Sequence, residues 1–350
     1  VVLAIAGAAV FMLGVKLPAD RKANREKAAV AAAENFYQAL AKADAATALG
    51  LLYATPRSTQ LLTDEVLATS TTAAPITDVS ITFVPPASAT RDGEPATAQP
   101  TGTDTVQVEV SYSLGGTAVV HPLTMRTHDG AWKVVGGTAT LDLTEGWVCN
   151  PGTSHQTSCT ATSGPGLEVN GQTVDNPELV VLFPGSYTVT TRSAHLVVGE
   201  NAFTITDPAK IHVVAGITVA LDEAGVESFR AAVRDSLDAC LEVMVYSTEC
   251  GMTVPRFVGT SSEVTDGTIR RTMTPEAETW RTTARPWLTD MGTARAAAPE
   301  GGVTVFVSGT RNGRPVEGAI VEADGSKTVY SIRAPQVTWD GSGKPAVSWR

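Results

Sequence analysis

Val106–Val135 reads VQVEVSYSLGGTAVVHPLTMRTHDGAWKVV, and its periodicity decides the fold class of the surrounding region. Val106, Val108, Val110, Tyr112 and Leu114 alternate with Gln107, Glu109, Ser111 and Ser113. Successive side chains of an extended chain point to opposite sides, so this is a strand with one buried and one wet face. Gly115-Gly116 turns the chain into a partner strand, Thr117–Thr127, and His128-Asp129-Gly130 turns it into a third, Ala131–Val135. Turns this short make the three strands an antiparallel meander.

Upstream the period changes from two to about 3.6. Across Arg21–Tyr53, Val30, Ala33, Tyr37 and Leu40 recur on one helical face, with Lys27, Glu34, Gln38 and Lys42 mostly elsewhere. Thr55-Pro56 marks the end of that pattern, and a second short helix is expected over Leu61–Thr69. A long helix followed by a meander closing on Gly-Ala-Trp-Lys-Val-Val (130–135) resembles the NTF2-like, or cystatin-like, fold. The resemblance covers about 25–145 and implies a cone-shaped α+β domain of the kind found just outside the membrane in bacterial anchored proteins.

Before that helix comes Val1–Leu17 (VVLAIAGAAVFMLGVKL), an almost unbroken apolar run. A spanning helix takes roughly 20 such residues. The run is slightly short and Lys16 interrupts its end, but the chain starts with Val1 rather than Met, so its true start is expected to be missing. A signal peptide would need a small-x-small cleavage site, and Pro18-Ala19-Asp20-Arg21-Lys22 offers no good one. An uncleaved anchor is the reading taken, against a signal peptide or a buried helix. Arg21, Lys22, Arg25 and Lys27 would by themselves favour a cytoplasmic side for the chain beyond Leu17.

Cysteine usage argues for the opposite side. Cys149 and Cys159, and Cys240 and Cys250, form two pairs of equal spacing, and Asn150-Pro151-Gly152-Thr153-Ser154 is a turn-forming stretch between the first two. Local disulfides at this spacing would contribute roughly 3 kcal/mol each on the chain-entropy model and persist only in oxidising compartments. Four cysteines allow three connectivities, and free thiols are the alternative. Structural zinc sites favour two to four residues between ligands, far fewer than here. An extracytoplasmic chain is the expectation, with no metal or cofactor.

The chain has 350 residues, 43% of them apolar, which suits two or three domains with real cores. Its formal net charge of −10 disfavours nucleic acid as a partner. After a linker at Gly164–Gly166, Leu167-Glu168-Val169-Asn170-Gly171 and Phe183-Pro184-Gly185-Ser186-Tyr187 resemble a PEGA-type or small sandwich module, with an Asn-Gly hairpin and a Pro-Gly-x-Tyr turn. Asp222–Cys240 reads as a capped helix with Val226, Phe229, Val233 and Leu237 on one stripe. Its Leu-Asp-Ala-Cys ending with a Cys-Gly nearby resembles an arrangement in envelope proteins of high-GC bacteria. Beyond it, Pro275–Met291 is helical or irregular, while Val303, Val305 and Val307, then Thr328–Arg333 and Val337–Trp339, read as strands.

The nucleophile elbow, P-loop, dinucleotide fingerprint, H-E-x-x-H and calcium-loop motifs are absent from the sequence. His121 and His128 lie seven apart on one strand, so they face opposite sides, whereas Arg126 and His128 share a face beside Asp129. Arg126 and His128 are a candidate acid–base site for a cone-type enzyme, set against a plain reading as wet-face residues. His155, within Ser154-His155-Gln156, reads as an exposed loop residue. Trp280, Arg281, Arg285 and Trp287 surround Pro286 as a candidate binding surface, since aromatic and Arg residues typify binding hot spots; core tryptophans are the rival reading. Trp339 and Trp349 admit the same two readings.

The expected organisation is therefore α+β: an anchor over 1–20, an NTF2-like domain over 21–148, a PEGA-like β-rich module plus one long helix over 149–254, and a β-rich or α+β module over 255–350. The layout resembles TcaA-type envelope proteins. That resemblance implies a non-catalytic, membrane-anchored binding or scaffolding ectodomain whose partner is a cell-envelope protein or cell-wall component. Two other readings stay open: a sensor signalling through a missing cytoplasmic part, and an extracytoplasmic enzyme using the cone.

Overall fold

The computed structural model describes residues 2–85, 104–161, 166–209, 216–259 and 261–350, with side chains from Lys22 onward. The fold is α+β, rich in strands and with few helices. Among the described residues no helix is long and apolar enough to cross a membrane; the side chains of Val1–Leu17 lie outside that set. Of the linker expected at Gly164–Gly166, only Gly166 is described. The chain divides into two compact units, 1–143 with 168–190 and 202–214, and 144–167 with 191–201 and 215–350. Segment 149–254 thus contributes to both units, and the residues on either side of 254/255 share the second.

In the first unit, α1 (Val2–Ala41) packs its stripe of Ala29, Ala33, Phe36, Tyr37 and Leu40 into the core, with Val30 at the stripe's edge. The helical pattern to Tyr53 is broken in two. Ala43 takes a left-handed φ of 58°, Asp44 N–H returns to Ala39 O, and the Asp44 carboxylate accepts from Thr47 N–H to start α2 (Ala45–Gly50). A short acid at an N-cap outcompetes continuation of the helix there. Likewise Thr63 caps α3 (Asp64–Ala73) and places Asp64 and Glu65 at its positive end, three residues later than the apolar pattern suggests.

The sheet is a four-stranded antiparallel meander, β1 (Ile76–Val84), β2 (Thr105–Leu114), β3 (Thr117–His128) and β4 (Ala131–Val135). β2 to β4 follow the alternation read from the sequence. The pairing of β1 with β2 slips between Thr77 and Ser80, where Asp78 has a φ of 53°, and this bulge hides β1 from a period count. Val108, Val110, Tyr112, Leu123, Met125, Trp132 and Val134 face α1 and close the core with Val181 and Phe183. The Asn170-Gly171 hairpin forms as expected, both residues left-handed, between Leu167–Val169 and Gln172–Thr173. Gly185 is obligatory at the start of strand Gly185–Thr191: a Cβ there would lie 2.2 Å from Ser70 Oγ, which instead accepts from Ser186 N–H.

The second unit holds α4 (Glu223–Glu242), capped by the Asp222 carboxylate and burying Gly225, Phe229, Val233, Leu237 and Cys240. A four-stranded antiparallel sheet, Trp287–Asp290, Thr293–Arg295, Pro335–Trp339 and Pro345–Trp349, hydrogen-bonds to it. The indole N–H groups of Trp339 and Trp349 donate to Ser228 Oγ and Ser236 Oγ. Trp339 and Trp349 are thus buried residues packed on a helix. Pro275–Met291 resolves into α5 (Pro275–Thr283), capped by Thr274, and the strand Trp287–Asp290. A six-stranded sheet is built around Gly302–Arg311.

Both cystines belong to this unit and have the local pairing, Cys149–Cys159 and Cys240–Cys250. Two side chains fasten the loops they close. Asn150 Nδ2 donates to Leu288 O and its Oδ1 accepts from Leu288 N–H, both at 2.8 Å, so one amide imitates a strand partner. The buried Arg271 guanidinium donates to the carbonyls of Val243, Val245, Tyr246 and Met252, gathering the chain after α4. Burial pulls this guanidinium below the usual arginine range.

Candidate functional site

The first unit contains a polar chain inside its apolar core. Position 121 shares the inward parity of Val119, Leu123 and Met125, so His121 enters the core and is 3% exposed. Its Nδ1 faces Pro122 O at 3.1 Å and Asp207 Oδ1 at 3.7 Å. Those groups accept, so Nδ1 carries the proton and Nε2 accepts from the Tyr37 hydroxyl at 2.8 Å. Beside it, the Tyr112 hydroxyl donates to Thr206 O at 2.5 Å. Burial, then the neighbouring Tyr112 and the charge of Asp207, push the Tyr37 hydroxyl well above its usual range; burial and Asp207 do the same to Tyr112.

The order Asp–His–Tyr has the connectivity of an acid–base relay, but every member is sealed. Tyr37, Tyr112, His121 and Asp207 are all buried, with Val108, Val110, Leu123 and Met125 filling the same interior. As arranged, the two hydroxyls, both ring nitrogens and Asp207 Oδ1 are each directed at a partner inside the protein.

Arg126 and His128 stand on the opposite, wet face. The Arg126 guanidinium lies 4.8 Å over the Tyr53 ring, His128 meets the same ring edge-on, and His128 Nε2 is 3.5 Å from the exposed Asp129 carboxylate. The structure therefore brings Arg126 and His128 together with Tyr53, away from His121. The residues around Pro286 have separate partners. Arg281 is ion-paired with Asp238 of α4 and with Glu278, Trp280 is half-buried, and Arg285 is exposed. Trp287 stacks flat on His155 at 4.0 Å with an interplanar angle of 7°, holding the exposed Cys149–Cys159 loop against its strand.

A concave site that sequence reading passes over lies in the second unit. Arg192–Leu196 forms one wall of a cleft of about 360 Å³ and Trp339–Gly343 the other, with Met291 and Gly292 between. The first wall is fixed from α4. His195 O accepts from Asp222 N–H, and Gly225 in the first helical turn leaves no room for a side chain, since a Cβ would sit 2.3 Å from that oxygen. The second wall is a closed turn: Asp340 Oδ1 accepts from Ser342 N–H, Ser342 O–H and Lys344 N–H. Those bonds, the Ser342 hydroxyl first, hold the Asp340 carboxyl below the usual carboxylate range, so it stays ionised, with Oδ1 occupied by its own loop.

Two groups of this cleft are not occupied. Among the described residues the exposed Arg192 guanidinium has no hydrogen-bond or carboxylate partner. His195 Nε2 lies 3.3 Å from Gly343 O, an acceptor, so the proton sits there and Nδ1 bears a lone pair; among the described residues that buried Nδ1 has no partner. The His195 ring leans on Trp339 at 5.4 Å. No group of three or more metal-ligating side chains occurs among the described residues. No protein-family model, curated protein or solved structure matches the chain.

Proposed function

We propose that the chain is a non-catalytic, single-pass membrane-anchored ectodomain of a bacterial cell envelope, which binds or scaffolds an envelope protein or cell-wall component. The observation that carries this reading is the burial of the titratable groups in the described interior of the first unit. An enzyme working inside a cone needs a chamber with titratable groups open to substrate, whereas Tyr37, His121 and Asp207 are buried and directed at partners within the protein. A long helix on a four-stranded antiparallel meander supports the NTF2-like reading of that unit. Two local disulfides support an oxidising, extracytoplasmic setting, and the apolar Val1–Leu17 run supports the anchor.

Fractionation combined with protease treatment of intact cells tests the reading. The chain should remain in carbonate-washed membranes, be digested from outside, and be released when Val1–Leu17 is deleted. A chain found in the soluble cytoplasmic fraction and protected until lysis would sink it.

A further inference from the structure

We infer that the cleft between Arg192–Leu196 and Trp339–Gly343 is a binding site for a small organic carboxylate that also carries a hydroxyl or amide N–H donor. The inference rests on the reading of the chain as a binding protein and names the chemistry of its ligand. Its premises are two unfilled valences on one concave surface. The Arg192 guanidinium has a fork of N–H donors, is always charged, and among the described residues has no carboxylate to meet it. A carboxylate is the group that matches such a fork in two parallel hydrogen bonds.

The second premise is the lone pair of His195 Nδ1. A buried acceptor without a donor is costly, and such groups call for an explanation in a ligand or an ordered water. Because Gly343 O holds the ring proton on Nε2, the missing partner is a donor, an O–H or N–H rather than a second anion. Asp340 is the other charge on the wall; it stays ionised with its Oδ1 held by its own turn, so recognition of the carboxylate falls to the Arg192 fork rather than to the net charge of the site. A volume of about 360 Å³ suits a single sugar or one or two amino-acid residues. Carboxylate and donor therefore belong to a sugar acid or to an acylated amino acid.

The test is a titration of the purified 350-residue chain, followed by calorimetry and by NMR of the His195 ring and Trp339 indole. The probes are glucuronate and N-acetylalanine, with glucose as the neutral control. Saturable binding of at least one acid, absent for glucose and weakened about tenfold to a hundredfold by Arg192→Gln, is the expected result. Arg192 is exposed, so that variant keeps its fold, and its thermal transition serves as the check. Whichever acid binds identifies the scaffold, sugar or peptide. Binding of neither acid, binding equal to that of glucose, or binding indifferent to Arg192→Gln would overturn the inference. The anchored, extracytoplasmic reading would survive such a failure, since fractionation and protease treatment decide it separately.

Discussion

The first unit closes an apolar core between α1 and its four-stranded meander around the buried chain Tyr37–His121–Asp207 and contains neither cystine, whereas the second contains both. The first is held mainly by burial, which acts wherever the chain is. The second adds covalent staples and two polar fasteners, Asn150 and Arg271, at the loops those staples close. The contrast teaches that the two units depend on different features of the environment, and that only the second depends on the redox state of its compartment.

The largest expected effects are the two that unmake one unit and spare the other. Reduction of both cystines should cost the second unit about 6 kcal/mol in total on the chain-entropy model. Five of the six tryptophans lie in that unit, so intrinsic fluorescence should report its melting at a much lower temperature under reductant. A first unit that melts in step with it would break the comparison. Alkali should act the other way round. Burial raises Tyr37, Tyr112 and Tyr187, all of the first unit, above the ordinary value of 10.0. The folded unit then keeps phenol protons that the unfolded chain gives up, so their contribution is whole below about pH 10 and is lost as pH rises further. In the second unit Tyr330 is raised but is partly exposed, so the first unit should fail first on alkaline titration followed by ellipticity.

Two substitutions sharpen the contrast. Arg271→Ala strands four carbonyls and should destabilise the second unit by roughly 3 kcal/mol. Differential calorimetry should show one transition displaced and the other fixed. His121→Phe keeps the volume but leaves the Tyr37 hydroxyl and Asp207 without the imidazole, at a cost to the first unit of about 2 kcal/mol. A shift under about 0.5 kcal/mol would mean that water or rearrangement replaces the ring, and that the polar chain is not a fixed part of that core.

What the sequence made legible is what local chemistry decides. Alternation gave β2 to β4, the stripe ending at Leu40 gave the buried face of α1, Asp222 marked the start of α4, and equal spacing paired the cysteines. The break at Ala43–Asp44 and the bulge at Asp78 were hidden because one residue of unusual φ interrupts an otherwise regular pattern. The interior cluster was half visible: parity sends His121 inward, but Tyr37 lies 84 positions away and nothing local joins them. The cleft was not visible, since His195 and Gly343 are 148 positions apart and meet only through packing on α4. The tryptophans around Pro286 were legible as residues of interest, but not that Trp287 would spend its ring on His155.

The central claim is that the second unit is a disulfide-held structure exposed outside the cell. Labelling intact cells with a membrane-impermeant maleimide, with and without prior reduction, and mapping the modified peptides tests it most directly. The account expects Cys149, Cys159, Cys240 and Cys250 to label on intact cells only after reduction. Labelling that needs lysis but no reductant would contradict it, placing four free thiols in the cytoplasm.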